Sequence, residues 1–352
     1  MKRIVLFPLI LLSLFAVSCN EDEDLSEEEI TVTTLEATDV TGYSATFSGR
    51  INAENTKGFS LCGILFSDTI SDKEQLKASG TLGRCSGNVI KDNVCYVNVR
   101  GFKHSTKYYY LVFAEINDSY YLGDVMSFTT LPRTVPEGAV DMGLSVFWAD
   151  RNIGASNPIE NGDYFAWGDI EPNYTSLDPV VWKSGKESGY SWQSYKWCNF
   201  NQLLLTKYNF WDTQGTVDNK AILERGEVGS ETIDDVARAR LGGKWRIPSL
   251  EEWHELYDWC DYDYTNDGQI REYFGIKSRN GNILYLPYAG GWQGTAYFPG
   301  SFYWTNSLDR LKASDNYYSS WTASGVNPVA NGCSSLFDNS RCFGYSVRAV
   351  SD

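Results

Sequence analysis

The chain has 352 residues, 42% hydrophobic and 15% aromatic, with 31 Gly, 12 Trp, 23 Tyr and only 2 His. That length suits two or three domains, and a Gly- and Tyr-rich mix suits short strands and long loops better than helical bundles. A net charge of −15 argues against a nucleic-acid partner, which needs clustered Lys/Arg, and His104 and His254 lie too far apart in sequence to suggest imidazole catalysis or a multi-histidine metal site.

Residues 1–18 begin with Lys2 and Arg3, continue through an apolar run from Ile4 to Leu14 broken by Pro8 and Ser13, and end in small residues. This is the pattern of a signal peptide, too short for a comfortable membrane span. Phe15-Ala16-Val17-Ser18-Cys19 resembles the lipobox of bacterial lipoproteins. The resemblance implies cleavage before Cys19, acylation of that cysteine by palmitate-type chains, and a membrane anchor without a spanning helix. Residues 19–29 then carry seven carboxylates between Glu21 and Glu29, a self-repelling run expected to form a solvated tether. The run also resembles the acidic export signal of surface lipoproteins in Bacteroidetes-type bacteria, which implies an outer-membrane protein facing the cell exterior. Almost half of the net charge lies in this tether.

Every Trp falls at position 148 or later, whereas 30–132 contains none. That break marks a domain boundary, with 133–136 as a Pro-containing linker. Within 30–132, alternating segments at 30–33, 44–49, 59–66, 94–99, 108–116 and 125–130 predict a β-sandwich of roughly seven short strands. Gly101-Phe102-Lys103-His104-Ser105-Thr106-Lys107-Tyr108 resembles the corner of a fibronectin type III domain. The resemblance implies that the Tyr108 hydroxyl satisfies a backbone group and that Phe47 stands in for the tryptophan expected early in that fold. This domain is expected to act as a spacer, with His104 an exposed turn residue.

The second unit, 137–352, is aromatic, Gly-rich and mostly irregular. Ile233, Val236, Ala237 and Leu241 predict a helix over 231–240, with Thr232 as N-cap, Asp234 and Asp235 in the first turn, and Gly242-Gly243 as its stop. Ser249 and Glu252 form a capping box, and Trp253, Leu256, Tyr257 and Cys260 lie on one helical face, with His254 beside that stripe. Strands are expected at 283–287, 303–307, 317–324 and 345–350. The last places Val347 and Ala349 on one face and Arg348 on the other as a structural partner of acids or carbonyls.

The segments Val140-Asp141-Met142-Gly143-Leu144-Ser145-Val146-Phe147-Trp148-Ala149, Asn152-Ile153-Gly154-Ala155, Gly162-Asp163-Tyr164-Phe165-Ala166-Trp167-Gly168, Gly242-Gly243-Lys244-Trp245-Arg246-Ile247-Pro248-Ser249 and Gly344-Tyr345-Ser346-Val347-Arg348-Ala349-Val350 together resemble the Fibrobacter succinogenes major paralogous domain. That domain belongs to the C-type-lectin-like group, which includes formylglycine-generating enzymes. The implied fold class is multidomain: an N-terminal all-β fibronectin III-like sandwich followed by an α+β C-type-lectin-like domain with two helices on a small twisted antiparallel sheet.

The catalytic relatives use paired C-terminal cysteines to bind copper, and Cys333 and Cys342 lie near this C-terminus. Their surroundings do not reproduce that motif, and no basic cluster lowers the thiol pKa. A disulfide or two incidental cysteines accounts for them better. Cys198, Cys260, Cys333 and Cys342 allow two bridges by three connectivities, while Cys62, Cys85 and Cys95 leave an odd thiol. Asp258, Asp261, Asp263, Asn266 and Asp267-Gly268 offer oxygen ligands for Ca²⁺, but their order is not that of an EF-hand loop, and a polar turn explains them. No cofactor and no metal site is therefore expected, and no enzyme activity.

The remaining candidate is a binding surface at 315–340. Asp315, Asn316, Tyr317, Tyr318, Ser319, Trp321, Asn327, Asn331, Ser335, Asp338 and Asn339 combine rigid aromatic area with adaptable hydrogen bonding, as paratopes do. In retroelement-diversified C-type-lectin-like proteins this stretch is the variable region, so the resemblance implies a ligand face for a protein or glycan. The expectation is a non-catalytic, lipid-anchored surface binding protein. The alternatives are a structural or pilus-like surface component and a degenerate oxidase.

Overall fold

The computed structural model describes residues 30–52, 59–83, 90–210, 214–227, 230, 232–262, 272–312, 317–329, 332–336 and 339–352. The signal segment, Cys19 and the acidic tether lie outside the described residues, and among those described no helix is long and apolar enough to cross a membrane.

The first unit contains β1 (Thr31–Thr34), β2 (Ser44–Asn52), β3 (Phe59–Ser67), α1 (Lys73–Ser79), β4 (Thr81–Leu82), β5 (Ile90–Lys91), β6 (Val94–Arg100), β7 (Lys107–Ile116), β8 (Ser119–Leu122) and β9 (Met126–Thr129). One antiparallel sheet has the order β1-β2-β6-β5. The other has β4-β3-β7, with β8 and β9 following one another along the far edge of β7. Period-2 alternation sends Ala45, Phe47 and Ile51 of β2 and Cys95, Val97 and Val99 of β6 into the space between the sheets. Phe47 is wholly buried there, its ring 4.7 Å from Tyr110 and 5.2 Å from Phe128.

The corner forms as expected, with the Tyr108 hydroxyl accepting from Lys103 N at 2.9 Å. α1 was not expected. Its N-cap Asp72 accepts from Gln75 N at 2.9 Å, and its one buried residue, Leu76, packs on Leu111 and Phe113. This contact covers the outer face of β7, which is why that strand is apolar on both sides.

The second unit contains β10 (Ala139–Val140), β11 (Phe147–Asn152), β12 (Tyr174–Leu177), β13 (Val180–Trp182), α2 (Val236–Leu241), β14 (Trp245–Arg246), α3 (Leu250–Trp259), β15 (Asp261–Tyr262), β16 (Tyr273–Lys277), β17 (Ile283–Pro287), β18 (Gly291–Gln293), β19 (Ala296–Phe298), β20 (Tyr303–Lys312), β21 (Tyr317–Val329), β22 (Gly332–Leu336) and β23 (Arg348–Ser351). Strands dominate here too, in sheets β10-β11-β23-β14, β15-β16-β17 and β20-β21-β22 plus two hairpins. The chain as described is thus mostly β.

The capping box is present, and α3 buries Trp253, Leu256 and Trp259, with the Trp253 ring 4.7 Å from Trp148 and 5.5 Å from Tyr303. Cys260 caps the end of α3. The start of α2 differs from expectation: Asp235, not Thr232, is the N-cap, accepting from Arg238 N at 3.1 Å. The same Asp235 carboxylate accepts from Ile247 N at 2.9 Å. Next to it, Arg246 grips Glu252 and Asp352, so the link between the helices is held from both sides.

β23 pairs with β11 and β14 at the centre of its sheet and is buried on both faces, which replaces the expected alternation. Arg348 is wholly buried, donating Nε to Asn152 Oδ1 at 2.8 Å and Nη1 to the Ala149 carbonyl at 3.1 Å. Without a carboxylate bonded to it, burial pulls its pKa down to about 10.

The junction between the units is packed rather than loose. The Arg133 guanidinium lies 4.7 Å from the Tyr43 ring and 4.0 Å from the Phe147 ring, and donates to Asp141 Oδ1 at 3.2 Å and Leu144 O at 2.8 Å. Arg100 of β6 pairs with Glu255 of α3, which also accepts from Ser145 N at 3.1 Å. Gly101 N donates to Gly143 O at 2.9 Å. Gly143 has φ +65°, and a Cβ there would sit 2.7 Å from the Gly101 Cα, so only glycine fits.

Candidate binding surface

β20 and β21 form a long antiparallel ladder, pairing Tyr303 with Val326 and Leu308 with Ala323, and β22 continues it with Val326 opposite Ser335. Trp304, Leu308, Ala323 and Tyr345 form the core beneath. Residues 339–341 then run along β21, with Ala323 N donating to Asn339 O at 3.0 Å and Arg341 N to Trp321 O at 3.2 Å.

The anchor of this arrangement is Arg341, which is wholly buried. Its Nε donates to Tyr195 Oη at 2.8 Å, Nη1 to the Tyr208 and Ser320 carbonyls at 2.9 Å each, and Nη2 to the Lys207 carbonyl at 2.8 Å. One planar guanidinium thus joins the 195–208 loop to β21, a spread of donors that a lysine cannot reproduce. Its ring neighbours are Trp167, Tyr195 and Tyr208, at 5.2 to 5.7 Å.

The expected contact residues separate into distinct groups. Asp315, Asn316, Asn331 and Asp338 lie outside the described residues. Tyr317 and Tyr318 occupy the start of β21, and Ser335 lies on β22. Trp321 is 39% exposed and offers aromatic area to solvent. Asn327 is half-buried with an unbonded Oδ1.

Ser319 and Asn339 are buried, which makes them supports rather than contacts. Ser319 Oγ accepts from Trp321 N and Thr322 N at 3.3 Å each, and Asn339 Oδ1 accepts from Tyr345 Oη at 2.9 Å. Their polarity reads as surface in sequence, but the return of 339–341 alongside β21 covers them.

Sequence reasoning missed a charged centre under this surface. Asp234 is wholly buried, accepting from Lys207 Nζ and Tyr208 Oη at 2.5 Å each, with Lys196 Nζ at 3.5 Å. Asp169 is also buried, yet among the described residues neither carboxylate oxygen has a hydrogen-bond partner, and Lys186 Nζ stands 3.9 Å away. Burial pushes the Asp169 carboxyl up to about 6, against the pull of Lys186 and Lys196. The only signal in the sequence was an aspartate immediately after the Trp167-Gly168 turn.

The described cysteines of the second unit are held as protonated thiols. Cys342 is buried and its thiol is pushed up to about 12 by burial, as is that of Cys260, which opposes the thiolate that copper binding needs. Cys198 is likewise a buried thiol with a raised pKa, its Sγ donating to Trp192 O at 3.1 Å. In this structure these three residues, like Cys62 and Cys95 of the first unit, are unbridged thiols. The side chain of Cys333 lies outside the described residues.

Among the described residues no group of three or more His, Cys, Asp or Glu is placed to hold a metal. Asp258 and Asp261 are exposed, and Asp263, Asn266, Asp267 and Gly268 lie outside the described residues. His254 is exposed on α3. His104, expected to be exposed, is half-buried beside a groove of about 610 Å³ at the junction, lined also by Lys103, Thr106, Val135, Asp141 and Asn280.

No protein-family model matches the chain, and no curated protein matches it. Among solved structures, the sensor domain of the anti-sigma factor RsgI4 in Pseudobacteroides cellulosolvens is 16% identical, with 30% of this chain and 96% of that chain covered and a TM-score of 0.23. A human fibronectin type III domain from the KIAA0970 protein is 15% identical over 35% of this chain and 93% of that one, with a TM-score of 0.24. The chicken CNTN1 FN1–FN3 domains give 16% identity, 30% and 31% coverage and a TM-score of 0.20. Scores this low assign neither a family nor a function.

Proposed function

We propose that this chain is a non-catalytic surface binding protein, anchored to the outer membrane through acylated Cys19 and recognising a protein or glycan with the β20–β21–β22 face. The observation that carries this reading is Trp321, a large aromatic held out to solvent on a strand that Arg341 fixes from below. A rigid aromatic anchor loses little entropy on binding and can stack on a sugar ring or fill a protein pocket. The fibronectin type III reading of the first unit is supported by its two facing sheets and the Tyr108 corner. The C-type-lectin-like reading of the second rests on the sequence resemblance. The packed junction makes the first unit a rigid mount for that face.

The test is to probe glycan and surface-protein arrays with the full chain and with Trp321→Ala, checking the fold of both by near-ultraviolet circular dichroism. The expected result is hits that weaken at least about tenfold in the variant, the range of an interface hot spot. Hits that survive the substitution unchanged overturn the placement of the site, and a face that binds only further copies of the chain favours a structural surface component. Palmitate labelling that persists in Cys19→Ala overturns the anchor.

A further inference from the structure

β3 and β6 belong to opposite sheets of the first unit, yet they bring Cα atoms within 8 Å of one another. Facing sheets ordinarily lie about 10 Å apart, so the sandwich is pinched here, and small residues explain how. Gly49 stands opposite Cys95 in the β2–β6 ladder, and a Cβ on it would lie 2.5 Å from Val112 Cγ1 of the other sheet and 3.6 Å from Cys95 Sγ. The absent side chain leaves room for the two sheets to close and for the Cys95 sulfur beside them. On the other sheet Cys62 stands opposite Ala114, another small residue. Both cysteines are unbridged thiols in this structure, wholly buried in one apolar cluster, and the Cys62 side chain is hydrogen-bonded to the Cys95 thiol. Bridged cysteines need Cα atoms about 4.4–6.8 Å apart, and disulfides do join the facing sheets of a β-sandwich; the close approach of β3 and β6 brings these two strands toward that range.

We propose that Cys62 and Cys95 form a disulfide between the two sheets when the chain folds in an oxidising compartment. The oxidant is a disulfide, either a thiol–disulfide oxidoreductase or glutathione disulfide. One cysteine thiolate attacks it, forming a mixed disulfide and releasing one thiol. The second cysteine then attacks the protein sulfur of that mixed disulfide and releases the other. The pair loses two protons and two electrons, and the oxidant's S–S bond becomes two thiols. Because both sulfurs are sealed in the folded core, exchange takes place before the sandwich closes. Afterwards the bond is out of reach of reductant unless the domain opens.

This inference is independent of the binding face and is tested without a ligand. The full chain is refolded from urea with glutathione disulfide, alkylated under denaturing conditions without reductant, digested and mapped by mass spectrometry. The expected product is a peptide joining Cys62 to Cys95, lighter by two hydrogens than its reduced halves, that dithiothreitol splits with recovery of alkylation at both. Oxidised protein should also unfold at higher urea than protein folded in dithiothreitol. Full alkylation of both residues after oxidative refolding overturns the proposal, and so does a bridge from either one to Cys85 or to any other cysteine. A Cys62→Ser/Cys95→Ser chain that keeps the oxidised-versus-reduced shift in urea midpoint assigns that shift to a different pair and overturns it equally.

Discussion

Arg341→Met removes every donor of the guanidinium while keeping much of its stem volume. Three carbonyls, those of Lys207, Tyr208 and Ser320, lose a hydrogen bond of 2.8–2.9 Å, and each buried acceptor left without a partner costs about 1–3 kcal/mol. Tyr195 keeps a bond, because its hydroxyl still donates to Trp167 O at 2.7 Å. Set against the loss is the relief of burying a cation that has no hydrogen-bonded carboxylate, worth several kcal/mol. Three such losses come to about 6 kcal/mol, and a relief of about 3 kcal/mol leaves a net destabilisation of about 3 kcal/mol, read as a lower urea midpoint by tryptophan fluorescence. Arg341→Lys should recover less than half, since a single nitrogen cannot reach carbonyls on both the 207–208 loop and β21. Hydrogen exchange gives the local readout: the amides of Arg341, bonded to Trp321 O, and of Phe210, bonded to Ser320 Oγ, should lose protection ahead of the first unit. A loss below about 1 kcal/mol, or unchanged exchange at those two amides, refutes the claim that this guanidinium holds the surface in place.

Three further outcomes follow from the geometry. Asp169 binds its proton more tightly folded, at about 6, than unfolded, at 3.8, so its contribution is favourable below pH 4 and is lost as pH rises through 6. Asp169→Asn should therefore flatten that part of the stability–pH curve and raise stability at pH 7 by up to about 3 kcal/mol; a variant less stable at pH 7 counts against the orphaned carboxylate. Tyr108→Phe leaves Lys103 N without its acceptor and should cost about 1–2 kcal/mol in urea unfolding, with the second unit's exchange pattern unaltered. Gly143→Ala drives a Cβ to 2.7 Å from the Gly101 Cα at a left-handed backbone position, so limited proteolysis between 130 and 145 should accelerate, whereas equal cleavage rates would show a junction that yields easily.

Features made by neighbours in the chain were legible beforehand. The capping box of α3 needs only Ser249 and Glu252, three residues apart, and the corner needs only Lys103 and Tyr108. Alternation located most strands of the first unit because one face of each meets a single core. α1 escaped because one buried leucine, Leu76, makes no periodic signal. The start of α2 was misplaced because Asp234 and Asp235 resemble first-turn acids, whereas Asp234 answers to Lys207 and Tyr208 and Asp235 to Ile247. The candidate surface was half legible. Its aromatic and polar vocabulary located the region, but which side chains face solvent depended on a strand return that composition does not encode, and that return turned Ser319 and Asn339 inward.

Sequence alone therefore determined most strands of the first unit, the capping box of α3 and the Tyr108 corner, since hydrophobic period and short-range hydrogen bonding act over a few residues. Tertiary structure decided what occupies the interior. Arg341 meets Tyr195 across 146 positions, Arg348 meets Asn152 across 196, and Glu255 meets Arg100 across 155. A buried charge is tolerated only where partners converge on it from such distances, and that convergence exists only once the chain has folded.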